Sequence, residues 1–482
     1  MNYFIDRIDQ IFSSFVTLLE QILLFDVGGL PLIILWLLFG AIFLTLKMGF
    51  INLRGLPHAI KIALGQENQD QDDSKGEVTP FQALATALSG SIGLGNIAGV
   101  AIAISIGGPG TVLWMTVYAL LAMSSKFVAC TLGVKYRRLL PDGTVTGGPM
   151  YYLRDGLDKI GRAKLGQILP IIYSLAGIGA AMGGGNMFQA NQSFAAVVTV
   201  IPTLKNYDWA YGLILAGFVG LVIIGGISRI SIVTSRLIPV MVSLYILGCL
   251  WVLAVNFTAI PGAFTVIVRE AFSPQAVEGG IVGVFVQGIR RSIFSNISGL
   301  GLSAMAHAVS KTKEPIQEGM VAMLEPLIDT VLVCNLTALV IITTGTYREV
   351  LGDGISGSSL VAMAFGSVID WFPLVLVVII CLFTFSTITT CCYYGEICWA
   401  YILGDPSRIV FKIIFLTFIF IGSIVNLGAV VNFSDMMYLI LAIPNLLGCI
   451  LLSGQVSHDL KKYWEQLREQ ESSRLNIAIS ND

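Results

Sequence analysis

TPFQALATALSGSIGLGNIAGVAIAISIGGPG, residues 79–110, is apolar and long enough to cross a bilayer, yet its middle holds Gly90, Gly93, Gly95 and Gly99 around Asn96. Each glycine weakens a helix by roughly 1 kcal/mol relative to alanine. A backbone group freed in hydrocarbon costs several kcal/mol more unless something satisfies it. A plain anchor has no use for such a break, so the segment is expected to be a discontinuous helix whose freed main-chain groups bind a small solute and a cation. The run Gly93-Leu94-Gly95-Asn96-Ile97-Ala98 also fits the dinucleotide fingerprint, but that device works at a strand-to-helix turn. Here it sits inside an apolar span.

The composition around this stretch is that of an integral membrane protein. Hydrophobic residues make up 55% of the 482 and charged residues 12%, with a mean hydropathy of +0.82; a soluble domain carries about 25% charged residues. Nothing in it supports nucleic-acid binding. All eight cysteines, Cys130, Cys249, Cys334, Cys381, Cys391, Cys392, Cys398 and Cys449, fall in apolar segments. They read as membrane thiols rather than a disulfide framework or a zinc site. The opening MNYFIDRIDQIFSSF sets acids beside Arg7 and has no small-residue cleavage site, so no cleaved signal peptide is expected.

Residues 1–29 alternate apolar and polar positions at helical spacing and are expected to lie at the interface. With roughly 20 apolar residues per crossing, the chain divides into about eleven spans: 30–49, 82–106, 110–134, 167–200, 210–227, 236–256, 279–306, 320–345, 372–403, 409–431 and 433–453. Lys and Arg gather in alternate connections, from Arg54 and Lys61 through Arg137, Arg138, Arg229, Lys311, Lys313 and Arg408 to Lys461. Only Arg7, Lys205, Arg269 and Arg348 occupy the opposite set. That bias puts the N-terminus outside and the C-terminus in the cytoplasm of a plasma (inner) membrane protein. The expected organisation is an extra span at 30–49, a cytoplasmic linker over 50–80 with the solvated acidic run 66–77, a first five-helix unit at 81–256 and an extracellular connection at 257–278. A second unit follows at 279–453, then a cytoplasmic tail at 454–482 with its last dozen residues disordered.

A second interrupted span, GGIVGVFVQGIRRSIFSNISGLGLSAMA at 279–306, breaks at Ser295, Asn296, Ser298, Gly299 and Gly301. The triplet Gly-Leu-Gly occurs in both breaks. Five spans separate the two starts, and an odd offset makes them cross in opposite directions. This points to an inverted five-plus-five repeat with its site at the midplane. Glycines also serve close helix packing, and Gly95 with Gly99 has that spacing. Packing alone does not call for Asn96, Ser295 and Asn296 at the breaks.

The runs at 89–115, 136–157, 183–194, 290–301, 327–345 and 385–396, with Lys126-Phe127 between the first two, resemble the alanine/glycine:cation symporters, sodium-coupled amino-acid carriers. The resemblance implies a LeuT-type fold, all α-helical, with one extra helix before the repeat. It also implies a multi-pass carrier that moves a small neutral amino acid such as alanine or glycine with sodium, a proton being the other candidate ion. Exposed helix N-termini attract anions, so the amides near Leu94, Gly95 and Asn96 are expected to hold the carboxylate. The carbonyls around Phe294, Ser295 and Asn296 and the Gln189 side chain are candidates for the ammonium, Gln189 being equally suited to bridging helices. Gly93 and Gly299 complete the expected substrate set. By resemblance, a sodium site would join backbone oxygens of Ser89 and Ile92 to the hydroxyls of Ser386 and Thr387, with Asn96 available to a second cation.

Asp329 and Glu396 are intramembrane acids and so functional suspects. Arg290 and Arg291 suit an outer vestibule that favours a carboxylate, or an interfacial phosphate anchor. The sequence departs from the family pattern at Leu94, where GTGN is usual, at Ile297, where SNEAG is usual, and at Thr390-Cys391, where Gly-Trp is usual. Loss of the indole opens volume and suggests a substrate larger than, or shaped differently from, alanine. A receptor or sensor that keeps the fold without transport is the alternative function. No enzyme is expected: His58, His307 and His458 lack metal-ligand spacing, and no nucleophile–base pair stands out. No oligomeric state follows from the chain.

Overall fold

Helix in this chain follows the apolar runs, and its interruptions follow glycine. The computed structural model describes residues 20–21, 23–27, 29–65, 76–140, 143–272, 280–349, 357–425 and 427–481. The interfacial segment expected over 1–29 and the acidic run 66–77 fall mostly outside these residues. Helix α1 spans Leu32–Lys47. Thr79 caps α2 (Pro80–Ser91): its hydroxyl accepts from the Gln82 N–H, and the Gln82 side chain accepts from the Thr79 N–H. This is a capping box with proline at the first helical position. α2 ends on extended backbone at Ile92 and Gly93, and α3 (Leu94–Gly107) starts immediately after. The first break is therefore where the glycines place it.

The chain continues through α4 (Thr111–Lys135), α5 (Ala163–Val200), α6 (Asp208–Ile223), α7 (Gly226–Val255) and α8 (Ile260–Phe272). The second interrupted span forms α9 (Gly280–Asn296) and α10 (Ser303–Ala308). Between them Ile297, Gly299 and Gly301 take left-handed φ values of 49°, 81° and 79°. That region is open to glycine and strained for a β-branched residue. Then come α11 (Pro315–Thr343), α12 (Ser358–Gly366), α13 (Phe372–Leu403), α14 (Arg408–Ile424) and α15 (Leu427–Asn481). Counting α2 and α3 as one, eight helical stretches among the described residues are long and apolar enough to cross a membrane, with α1 and α6 shorter. α3 packs along α9, and α2 along α10, α7 and α13. The two interrupted helices thus lie side by side, at the centre of a multi-pass helical membrane protein.

Several local expectations change. The loop expected between 227 and 236 is helical, because α7 begins at Gly226 and turns two of its polar residues inward: Ser231 and Thr234 are buried, and the Thr234 hydroxyl lies 3.2 Å from that of Thr86 on α2. The linker over 50–80 contains helices at Ile51–Arg54 and Leu56–Ala63. The connection at 257–278 contains α8, which buries Ala263, Ile267 and Ala271 on one face. α12 was not foreseen; it docks on α3 and α5, with the Ser358 N–H donating to Gln192 Oε1 at 3.0 Å. The tail, expected to end in disorder, continues α15 to Asn481, since DLKKYWEQLREQ is rich in strong helix formers. All eight cysteines are free thiols, seven of them buried.

Candidate substrate and cation site

The two breaks meet through Asn96. Its Oδ1 accepts from the Gly93 N–H at 3.0 Å, capping the start of α3, while Nδ2 donates to Ser295 Oγ at 3.1 Å and to the Asp329 carbonyl at 3.2 Å. One buried amide therefore ties α3 to α9 and α11. Gly95 permits this approach: a Cβ there would stand 3.2 Å from the Phe294 carbonyl oxygen and from Ser295 Cα. Asn296 Nδ2 donates to Thr330 Oγ1 at 2.9 Å, and the Phe294 ring packs edge-on to Phe188 and Tyr438 with centroids 4.7 and 5.4 Å away.

The structure thus brings Gly93, Leu94, Gly95, Asn96, Phe294, Ser295 and Asn296 together. Two expected roles are altered by what already occupies the groups. The Leu94 N–H is taken by Gln189 Oε1 at 3.1 Å, while Gln189 Nε2 donates to the Gly184 carbonyl at 3.1 Å. Of the two readings open to Gln189, this arrangement shows the helix bridge, made possible by the π-helical turn Gly183–Met187 in α5. Gly299 lies apart, with its carbonyl accepting from Asn445 Nδ2 at 2.6 Å and its Cα turned toward Tyr118 and Leu37.

On the other side of the first break, oxygen atoms of α2 and α13 converge. Ser89 Oγ donates to the Ser386 carbonyl at 2.8 Å and lies 2.6 Å from Ser386 Oγ; Thr387 Oγ1 lies 3.4 Å from the Ile92 carbonyl. Ser89 and Ser386 are fully buried and Ile92 and Thr387 nearly so. The sequence assigned Ser89 a backbone oxygen, but its hydroxyl also belongs to the cluster. Thr390, known from the sequence only as a departure, donates to Ser89 Oγ at 3.0 Å. Cys391 beside it packs its sulfur on Gly185 and lies 3.9 Å from the Gly90 carbonyl.

Charged groups surround the breaks. Asp329 is fully buried on α11 where the helix widens into π turns over Leu327–Cys334. Its Oδ1 accepts from the hydroxyls of Ser295 at 2.5 Å and Thr330 at 2.9 Å, and Oδ2 has no hydrogen-bond partner among the described residues. Glu396, the other suspect acid, pairs with Arg408 and Lys412 on α14 and reads as a helix tie. Arg290 and Arg291 both pair with Asp435 on α15, so neither guanidinium stands open in a vestibule.

The sequence missed the buried network behind the second break. The Lys126 ammonium donates to the Asn296 carbonyl at 2.8 Å and pairs with Glu325 at 2.9 Å. It therefore caps the C-terminal end of α9, where the helix dipole favours a cation. Glu325 also accepts from Ser303 and faces His307 Nε2 at 2.9 Å, while His307 Nδ1 faces Glu318 at 2.6 Å. Both ring nitrogens meet carboxylates, which requires a second proton, on the imidazole or on one carboxyl. Cys130 brings its sulfur within 4.8 Å of the His307 and Glu325 ligand atoms. Lys126 already supplies the local counter-charge, and ion pairing accounts for the cluster. A lone Lys in an apolar run was the available signal.

A profile of the Sodium:alanine symporter family matches residues 10–477. The chain is 37% identical to the sodium/alanine symporter AgcS of Methanococcus maripaludis, over 95% of this chain and 99% of that one. It is 31% identical to a probable sodium/glutamine symporter, GlnT, of Bacillus subtilis, over 90% and 88% of the two chains. Among solved structures it is similar in fold to MhsT in complex with L-phenylalanine, with a TM-score of 0.58 at 12% identity, covering 81% of this chain and 99% of that one.

Proposed function

The chain belongs to the sodium:alanine symporter family, and from that premise we propose that it carries a small neutral amino acid, such as alanine or glycine, together with sodium by alternating access. Cation-coupled amino-acid symport is the activity of that family. The reading is carried by the meeting of two interrupted helices at Asn96, where main-chain and amide groups face each other inside the protein rather than lipid.

In this reading the carboxylate binds at the start of α3, where helix N-termini favour an anion, with Gln189 yielding the Leu94 N–H as substrate enters. The ammonium takes the carbonyls of Phe294 and Ser295. Sodium is held by oxygen ligands of Ser89, Ile92, Ser386 and Thr387, with Thr390 added, and Asp329 Oδ2 supplies the negative charge for a second cation near Asn96. A cation bound between α2 and α13 stabilises only arrangements that keep those helices together, and that differential affinity couples it to the substrate. Release follows a cavity of about 440 Å³ lined by Glu77, Ser228, Tyr393, Glu396 and Arg408, which opens between α7, α13 and the chain entering α2, at the end carrying the connection cations.

The test is isotope uptake into proteoliposomes with sodium and proton gradients imposed separately and a panel of neutral amino acids as competitors. Sodium-driven uptake with alanine or glycine among the best competitors is expected. Uptake indifferent to sodium, or binding without turnover, defeats the proposal.

A further inference from the structure

Where α4 ends and α11 begins, a cavity of about 570 Å³ is lined by Lys135, Arg137, Arg138 and Lys313 and walled on its apolar side by Leu139 and Val145. Lys135 pairs with Asp459 at 2.5 Å, and Arg138 with Asp155 at 2.7 Å. Among the described residues, no carboxylate lies within 4.0 Å of Arg137 or Lys313. Arg137 is half-buried, and its contacts are neutral: Nη1 donates to the carbonyls of Ala308 and Ser310 at 3.2 and 2.6 Å, and Nη2 to that of Thr312 at 2.7 Å. Burial lowers its pKa from the ordinary guanidinium value, and Glu318 offsets only part of that effect. Of the five guanidinium N–H groups, three are used, and two are left for an anion.

Cations in the connections on this face serve orientation in many membrane proteins. That purpose needs neither a cavity nor an enclosed guanidinium without a counter-ion. The wall supplies the second clue. Leu139 is 54% exposed beside four cations, just past the end of the apolar helix α4 and near the start of α11. A soluble anion gains nothing from that apolar surface, whereas an amphiphile with a charged head does.

We propose that this cavity binds the phosphate headgroup of an anionic phospholipid from the cytoplasmic leaflet. Arg137 and Lys313 neutralise the phosphate, and the glycerol and first acyl carbons lie along Leu139 and Val145. Because the same guanidinium holds the chain leaving α10, occupancy secures the end of the second interrupted helix.

The test uses the full chain in a neutral detergent and follows the thermal unfolding midpoint as phosphatidylglycerol, phosphatidylcholine or inorganic phosphate is added. This readout stands apart from transport, so its failure and that of the carrier reading are separable. Phosphatidylglycerol should raise the midpoint by several degrees and phosphatidylcholine should not. Lys313→Gln, an exposed position whose loss leaves the fold intact, should weaken the phosphatidylglycerol titration about tenfold, the size of one lost charged contact. Arg137→Gln/Lys313→Gln, which removes both groups assigned to the phosphate, should abolish it. Inorganic phosphate reproducing the shift in a Lys313-dependent manner would reassign the site to a soluble phosphate and overturn the lipid. No shift with phosphatidylglycerol, or a shift unchanged in both variants, overturns the site.

Discussion

Asn96 uses its amide at both ends, and no other standard side chain of that size both caps a helix start and donates to a neighbouring break. Replacing it by alanine leaves the buried Gly93 N–H without its side-chain acceptor, at a cost of about 1–3 kcal/mol, and removes the donor that joins Ser295 and the Asp329 carbonyl to α3. Asn96→Ala is expected to abolish cation-dependent uptake while the protein still reaches the membrane; full activity in a reconstituted uptake assay would remove Asn96 from the site. Thr390 tests the oxygen cluster more narrowly. Thr390→Gly restores the residue usual in the family and deletes the hydroxyl that supports Ser89. The sodium concentration for half-maximal uptake should rise about tenfold, equal to about 1.4 kcal/mol, with the maximal rate nearly unchanged. An unchanged sodium dependence would show that the hydroxyl only packs. Cys391→Trp should narrow substrate choice toward alanine and glycine, since the indole would stand where a sulfur now packs on Gly185; a competition panel identical to that of the parent protein argues against a side-chain pocket there.

At the scale of elements, the second break is held by charge as well as by geometry. Lys126 on α4 reaches the last carbonyl of α9 and the Glu325 carboxylate on α11, so three helices share one buried ammonium. Removing one partner of a buried pair leaves an uncompensated charge, typically a loss of about 3–5 kcal/mol, whereas removing both can be close to neutral. Lys126→Met should therefore lower the unfolding midpoint sharply, and Lys126→Met/Glu325→Met should recover most of the loss. A double variant no better than the single one would show that Lys126 acts through Asn296 alone. The breaks themselves were legible because glycine, serine and asparagine are costly inside an apolar helix. The network behind them was not, because Lys126, Glu325, His307 and Glu318 are brought together by the packing of α4, α10 and α11.

Across the whole molecule, the chain entering α2 and the chain leaving α10 are joined before any ligand is considered. Val78 and Ser310 form a parallel bridge, with the Lys311 N–H donating to the Val78 carbonyl at 2.7 Å. The cavity proposed for release is lined by Gly226 and Ser228 of α7 and Tyr393 and Glu396 of α13, with no residue of α10 among its described lining, so the seam with α10 has no need to part. A Val78→Cys/Ser310→Cys disulfide is expected to leave most of the uptake rate intact. Complete block that a reductant reverses would show that the two interrupted helices separate during each cycle. At the opposite end, Arg290 and Arg291 converge on Asp435 beside the Phe294–Tyr438 ring pair, which closes that side over the breaks.

Hydropathy, glycine placement and charge bias by themselves fixed a helical membrane protein with two interrupted spans, because each of these is a local cost paid residue by residue in hydrocarbon. The polar types at the breaks, Asn96, Ser295 and Asn296, were legible for the same reason. Which of them face each other was decided only by tertiary structure: Gln189 spent its amide on Leu94, Gly299 turned away toward Asn445, and Thr390 joined Ser89. The helix at 358–366 and the longer α7 escaped for a related reason, since Ser358 bonds to Gln192 and Thr234 meets Thr86 on other helices. Hydrogen bonds and ion pairs between distant segments leave no periodicity in the chain, and only packing determines which oxygen or nitrogen each one meets.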